Sequence, residues 1–284
     1  MVSSSRAGPG AARLARRRNP RSSRVIGGPA VSFGKVVTNW TGRTATGSDT
    51  RDEGPAQSGA VGRSLTSDLV LVHKVFRREL RLLPLLIADV AAGDCGRAVA
   101  LTAHCRELTT ALLHHHEAES ELLWPRLRHR TPIDGDVAAR LQDGHRTHAA
   151  LVAEMDGLLP LWEQGADPDL AAVLADILTE LADAVADHLD AAAEFVFPAL
   201  DEHFTAAEWL ALGLRAASWI PLHRMAWLLG AMLEDATPVE RANLMARVPG
   251  PARLLYRMVG QEQYTREMRA LRGSFVVAQG SGRG

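Results

Sequence analysis

The sequence predicts an all-α protein: an up-down-up-down four-helix bundle over residues 64–203, with additional C-terminal helices over 204–273. Three observations predict it. Hydrophobic residues make up 46% of the chain but aromatics only 5%, and Ala, Leu, Arg and Glu are used heavily, which suits helices. Apolar residues recur in four runs at three- and four-residue steps, the period of one helix face. The chain also repeats itself. His115, Ala118, Glu119, Glu121, Trp124, Pro125 and Leu127 are echoed at identical spacing by His188, Ala191, Ala192, Glu194, Phe197, Pro198 and Leu200, an offset of 73, and His73 is echoed by His145 at an offset of 72. This is a duplicated αα-hairpin with one inward-looking histidine on each helix.

The elements follow in order. Residues 1–63 are rich in Gly, Ser, Arg and Thr without periodicity and read as a disordered basic extension. Ser64–Asp68 supply helix-start residues. Leu69, His73, Phe76, Leu80, Leu83 and Ile87 then share one face of a helix that Pro84 should kink. Gly93 and Gly96 mark a turn. The second stripe is Leu101, His104, Leu108, Leu112, His115, Glu119 and Leu122, ending around Trp124-Pro125. The third is Leu141, His145, His148, Val152, Met155 and Leu159. The fourth is Leu174, Leu178, Leu181, Val185, His188, Ala192 and Phe195. Short linkers imply antiparallel neighbours. Thr205-x-x-Glu208 and Thr237-x-x-Glu240 are capping-box signatures, and Pro221 and Pro251 suit first turns, so 204–273 reads as three or four more helices. Residues 274–284 read as a flexible tail.

Composition also excludes function classes. The formal charge is −1, yet residues 1–60 carry +7, leaving about −8 on the rest. A basic arm for nucleic acid is the sharp reading of Arg16-Arg17-Arg18. An unstructured extension is favoured, since no aromatics interleave the arginines and no fold is implied. Cys95 and Cys105 are too few for a disulfide framework or a cysteine zinc site. No apolar run spans a bilayer and no secretory signal is present, so a cytoplasmic setting without membrane attachment is expected. Nucleophile elbow, His-Glu-x-x-His helix and Gly-rich phosphate loop are missing, which argues against a hydrolytic metalloenzyme; no catalytic residue is assigned.

The chemistry lies in the histidines. Four of the eleven, His73, His115, His145 and His188, occupy equivalent inward positions on four helices, an arrangement that is costly unless something binds them. Neutral imidazole is a preferred ligand for iron, zinc and copper, so a metal would satisfy several at once. Glu119, four residues after His115, projects from the adjacent turn and could bridge or neutralise cations. His148 shares the stripe with His145, so both could ligate or one could orient the other. His104, roughly 16 Å along the axis from His115, reads as a satisfied core residue. His114 and His116 lie about 100° either side of His115 and read as flank residues or groups behind the ligands. His129, His203 and His223 read as surface or loop histidines. Glu121 and Glu194 point away from the stripe and read as surface pairs.

The His-His-x-x-Glu-x-x-Leu-Leu-Trp-Pro run at 115–125, with the weaker His-(x)9-Pro repeat at 188–198, resembles the hemerythrin-like (HHE cation-binding) domain, and the helix opening Val72–Leu80 is similar to its bacterial members. The resemblance covers 65–203, and the stretch beyond is similar to an extension found on some actinobacterial members. It implies a bundle holding non-haem di-iron, with terminal histidines and bridging carboxylates, that binds dioxygen or nitric oxide, senses oxygen or redox state, or handles iron. Carried over by position, His73, His115, Glu119, His145 and His188 are ligand candidates, with His148 a fifth imidazole. The family expects Glu where this chain has Ala192. Three outcomes stay open: a di-iron centre completed by solvent, a single metal, or a degenerate site. The last would leave a helical interaction module working on a protein partner through exposed C-terminal tryptophans.

Overall fold

Aspartates and prolines set where the helices begin. Asp94 accepts from the backbone N–H of Arg97, Asp134 from that of Asp136, and Asp167 from those of Asp169 and Leu170, with Pro168 following as a first-turn residue. The computed structural model describes residues 66–131 and 133–273, and all regular structure among them is helical. The readings of 1–63 and 274–284 lie outside the described residues. The bundle contains α1 (Ser67–Ala88), α2 (Cys95–Ala118), α3 (Trp124–Arg130), α4 (Gly135–Gly165), α5 (Pro168–Ala191) and α6 (Phe197–His203).

The four long helices close a ring, α1 against α2 and α5, and α4 against the same two. The α1–α2 and α4–α5 turns meet at one end, where the Gly93 N–H donates to the Gly165 carbonyl at 3.2 Å. Gly93 (φ 83°) and Ala166 (φ 44°) take the left-handed conformation that turns a chain out of a helix. The inward stripe of α1 is buried from Leu69 to Ile87 as its periodicity predicts, and α1 runs on past Pro84 to Ala88.

Two turns depart from the expected pattern. Glu119–Leu123 and Ala192–Val196 are single π-helical turns at equivalent points of the duplication. Pro125 and Pro198 explain both. A proline ring collides with the carbonyl four residues back and offers no N–H, so the chain widens the preceding turn. Trp124 and Phe197 accordingly donate to the carbonyls five residues back, Glu119 and Ala192. The helical path therefore continues to Arg130 instead of ending near Trp124-Pro125. The extra residue also shifts the stripe by one position. Leu123 (2% exposed) takes the inward place expected for Leu122, and Val196 (4%) replaces Phe195, which is 37% exposed.

Beyond the bundle come α7 (Ala206–Ala216), α8 (Met225–Glu234), α9 (Pro238–Arg247), α10 (Gly250–Leu255) and α11 (Gln261–Arg272), the last two joined by a π turn. Both capping boxes form, at Thr205/Glu208 and Thr237/Glu240. Pro251 opens α10, whereas Pro221 precedes a 3₁₀ turn. Among these helices, α7 and α11 pack on α2, and α8 packs on α1. The tryptophans serve that contact instead of facing solvent: Trp227 is buried against His104, and half-buried Trp219 stacks on His114. Among the described residues no helix is long and apolar enough to cross a membrane.

Candidate metal centre

The site lies where α1, α2, α4 and α5 turn their histidine-bearing faces inward, at the level of the two π turns. His73, His115, Glu119, His148 and His188 are all buried, and His145 is nearly so. Glu119 reaches across the bundle: Oε1 lies 3.2 Å from His115 Nε2 on its own helix, and Oε2 lies 3.1 Å from His145 Nε2 on α4. Neither contact has the direction a ring N–H would need for a hydrogen bond. His73 meets the His115 ring edge-on at 5.5 Å, and His148 meets His188 edge-on at 5.3 Å. All six predicted site residues thus fall in one region.

A seventh belongs with them. His116 is 4% exposed, stacks on His145 with ring centres 4.1 Å apart, and lies 5.4 Å from His188. The ligand atoms of His116, His145 and His188 all lie within 4.8 Å of one another, a group that could hold one cation if its rings draw closer. Its position beside the His115 stripe concealed it, because an inward face spans more than 100° of the helix. A signal was present in the duplication: 73 residues on stands Leu189, 1% exposed in the core.

The other histidines divide as expected. His104 is buried with Nε2 3.2 Å from Glu79 Oε2, a satisfied core pair. His114 contacts Glu117 through Nδ1 at 2.9 Å, and His129 and His223 are exposed. Glu121 is held by Arg215 of α7 at 2.7 Å, and Glu194 is exposed despite the widened turn, so neither enters the site.

Three observations show that these residues fit a cation. Seven buried ring nitrogens have no hydrogen-bond partner: His73 Nε2, His115 Nε2, both of His116, His145 Nε2, His148 Nδ1 and His188 Nδ1. At about 1–3 kcal/mol for each orphaned buried polar atom, even those away from Glu119 would cost a large part of a domain's net stability. Burial, reinforced by neighbouring imidazoles, pushes the His73 and His188 rings down to about 3, and His116 well below its ordinary value. Burial also takes His148 to about 4. Those four rings are therefore neutral at pH 7, with lone pairs available. Burial would raise Glu119, but His115 and His145 hold it well below the usual carboxylate range, so it stays anionic. Finally, Gly144 makes room for a donor: a Cβ there would stand 3.0 Å from His188 Nδ1.

No match to this chain was found among curated proteins or among solved structures. Residues 64–200 match the family model described as the hemerythrin HHE cation binding domain, and over that stretch the chain is a hemerythrin-like domain.

Proposed function

We propose that this protein binds non-haem iron in the bundle core and, through it, a small diatomic ligand such as dioxygen or nitric oxide, whether to hold that ligand or to sense oxygen or redox state. The observation that supports this is the set of orphaned imidazole nitrogens gathered around one buried carboxylate. In this reading His73, His115, His145 and His188 are terminal donors, His148 is a further imidazole, and Glu119 bridges or neutralises. The centre is di-iron if Glu119 and solvent suffice without the carboxylate missing at Ala192, and mononuclear otherwise. Bound there, iron supplies reversible coordination and electron transfer toward dioxygen, nitric oxide or peroxide. The chain's own residues present neutral donors and restrict water: Phe76 lies 5.6 Å from the His115 ring and Phe197 5.4 Å from His73. A cytoplasmic setting belongs to the same proposal and rests on the two free cysteines.

The test is the iron content of protein purified without chelator, with ultraviolet-visible spectra before and after air exposure. Bound iron with an oxygen-dependent near-ultraviolet band is expected. Iron near zero after anaerobic reconstitution with ferrous salt would sink the reading. The alternative, a metal-free interaction module, has one observation in its favour: Leu254 and Leu255 at the end of α10 and Met258 and Val259 in the π turn that follows all stand exposed. Under that alternative, replacing the core histidines would leave partner capture intact.

A further inference from the structure

Proline accounts for two of the three π turns among the described residues, and not for the third. Tyr256–Gly260 widens although no proline occurs from 256 to 272, and Gln261 donates five residues back to the Tyr256 carbonyl. Single π turns within α-helical chain recur at functional sites. This one lines a cavity of about 310 Å³ between α8, α9 and α11. That volume lies at the lower end of the range for small-molecule sites.

Two aromatic rings wall the cavity, and each rests on a glycine. A Cβ on Gly230 would stand 2.5 Å from Tyr264 Cγ, and one on Gly260 would stand 2.9 Å from Tyr256 Cδ2. Both rings are therefore set in place before any ligand arrives. Buried Leu233 and Met268 complete an apolar lining. The charge of the cavity is one-sided. Glu234, the one acid among the described residues that line it, is already engaged: Arg272 donates to it at 2.5 Å, and so does the Tyr264 hydroxyl. Arg241 and Arg269 line the cavity too, and neither has a carboxylate within ion-pair distance among the described residues. Arg241 gives one N–H to the Leu233 carbonyl at 2.5 Å, leaving the rest of its guanidinium without a protein acceptor. Arg272 is 6% exposed, and its Nε has no hydrogen-bond partner. Burial raises the Tyr256 phenol, so its hydroxyl stays protonated and can donate. Donors without acceptors thus collect at a hole walled by hydrocarbon.

We propose that this cavity binds a small carboxylate with an apolar body, its carboxylate held by Arg241 and Arg269 and its body lying between Tyr256 and Tyr264. A guanidinium suits a carboxylate because paired N–H groups meet both oxygens at once. A single negative charge fits best, since Glu234 in the wall would repel a second. The cavity shares no residue with the candidate metal centre, so the two sites stand or fall separately.

Full-length protein, stripped of metal and desalted so that no iron can take the carboxylate, is titrated calorimetrically with benzoate, phenylacetate and octanoate. At least one is expected to bind at a single site per chain, with a dissociation constant of about 1 mM or tighter. Phenylacetamide, neutral and of similar shape, should bind at least tenfold more weakly than phenylacetate. R241Q/R269Q removes two charges at exposed positions and should weaken carboxylate binding roughly tenfold or more. T265W fills the cavity from α11, leaves every charge in place, and should weaken it by a similar factor. No saturable binding of any of the three carboxylates by the parent would overturn the proposal. So would binding that R241Q/R269Q leaves unchanged, or inorganic phosphate binding as tightly as the carboxylates, the mark of a bare cationic patch.

Discussion

At Gly144 one hydrogen atom in place of a methyl decides whether His188 keeps its orientation. A side chain there would press on His188 Nδ1 at 3.0 Å and approach His148 Cε1 at 3.8 Å, both rings of the candidate centre. Glycine inside a helix otherwise costs about 1 kcal/mol relative to alanine, so local propensity argues against it. G144A should therefore separate two quantities: the metal-free protein gains up to about 1 kcal/mol in stability, while metal affinity falls as the His188 ring is displaced. Melting in chelator and metal titration measure the two, and unchanged affinity would show that Gly144 has no bearing on the site. At this scale the sequence revealed what repetition marked. His73, His115, His145 and His188 were legible because each has a histidine counterpart, and Glu119 because it follows His115 at helical spacing. His116 has a leucine counterpart, and only an argument from that buried leucine would have drawn it inward. The use of Gly144 depends on which helix faces it, which periodicity along one helix does not contain.

Between elements, Glu79 on α1 ties α1 to α2 and α11. It is 1% exposed and accepts from Arg78 at 2.8 Å, and it also contacts His104 of α2 and Arg272 of α11. Burial would raise its carboxyl, but His104, Arg78 and Arg272 together bring it down to about 2, against an ordinary 4.5. A depressed folded-state value means that stability is present above pH 4.5 and is lost as the pH falls toward 2, on the order of 3 kcal/mol in all. E79Q leaves the buried Arg272 and the partly buried Arg78 facing a neutral amide, with Glu234 and Asp235 as their remaining carboxylates, and should cost roughly 3 kcal/mol at pH 7. In urea denaturation the gap between parent and E79Q should close between pH 4.5 and 2; a gap independent of pH would refute the charge account. Capping boxes were legible because both partners lie three residues apart in sequence. The π turns were not, because proline reads as a stop. Here the helix packs on both sides of it, and widening one turn is less costly than ending the helix. The Glu79 tie joins residues 193 apart, beyond any local pattern.

Over the whole molecule, the candidate metal site and the Glu79 network draw on different sets of helices. Site residues come from α1, α2, α4 and α5, whereas the C-terminal helices pack on α1 and α2 and supply none of them. An ion bound only by the folded state adds stability by mass action, about 2.7 kcal/mol at a free concentration one hundred times the dissociation constant. For a chain of this size each kcal/mol moves the melting temperature by about 2–4 °C, so a chelator should lower it by roughly 5–10 °C. The loss should also be local. Without the ion, the seven orphaned nitrogens are left among closely packed rings at the site end of the bundle. The other end keeps the Gly93–Gly165 contact between turns, and α1 keeps Arg78 and Arg272 on Glu79. Hydrogen exchange with and without chelator should show faster exchange around residues 115–123, 144–148 and 188–196, and little change in α8 and α11. Uniform acceleration would mean that the ion stabilises the protein as a single cooperative unit; no acceleration would mean that the imidazoles are satisfied without one.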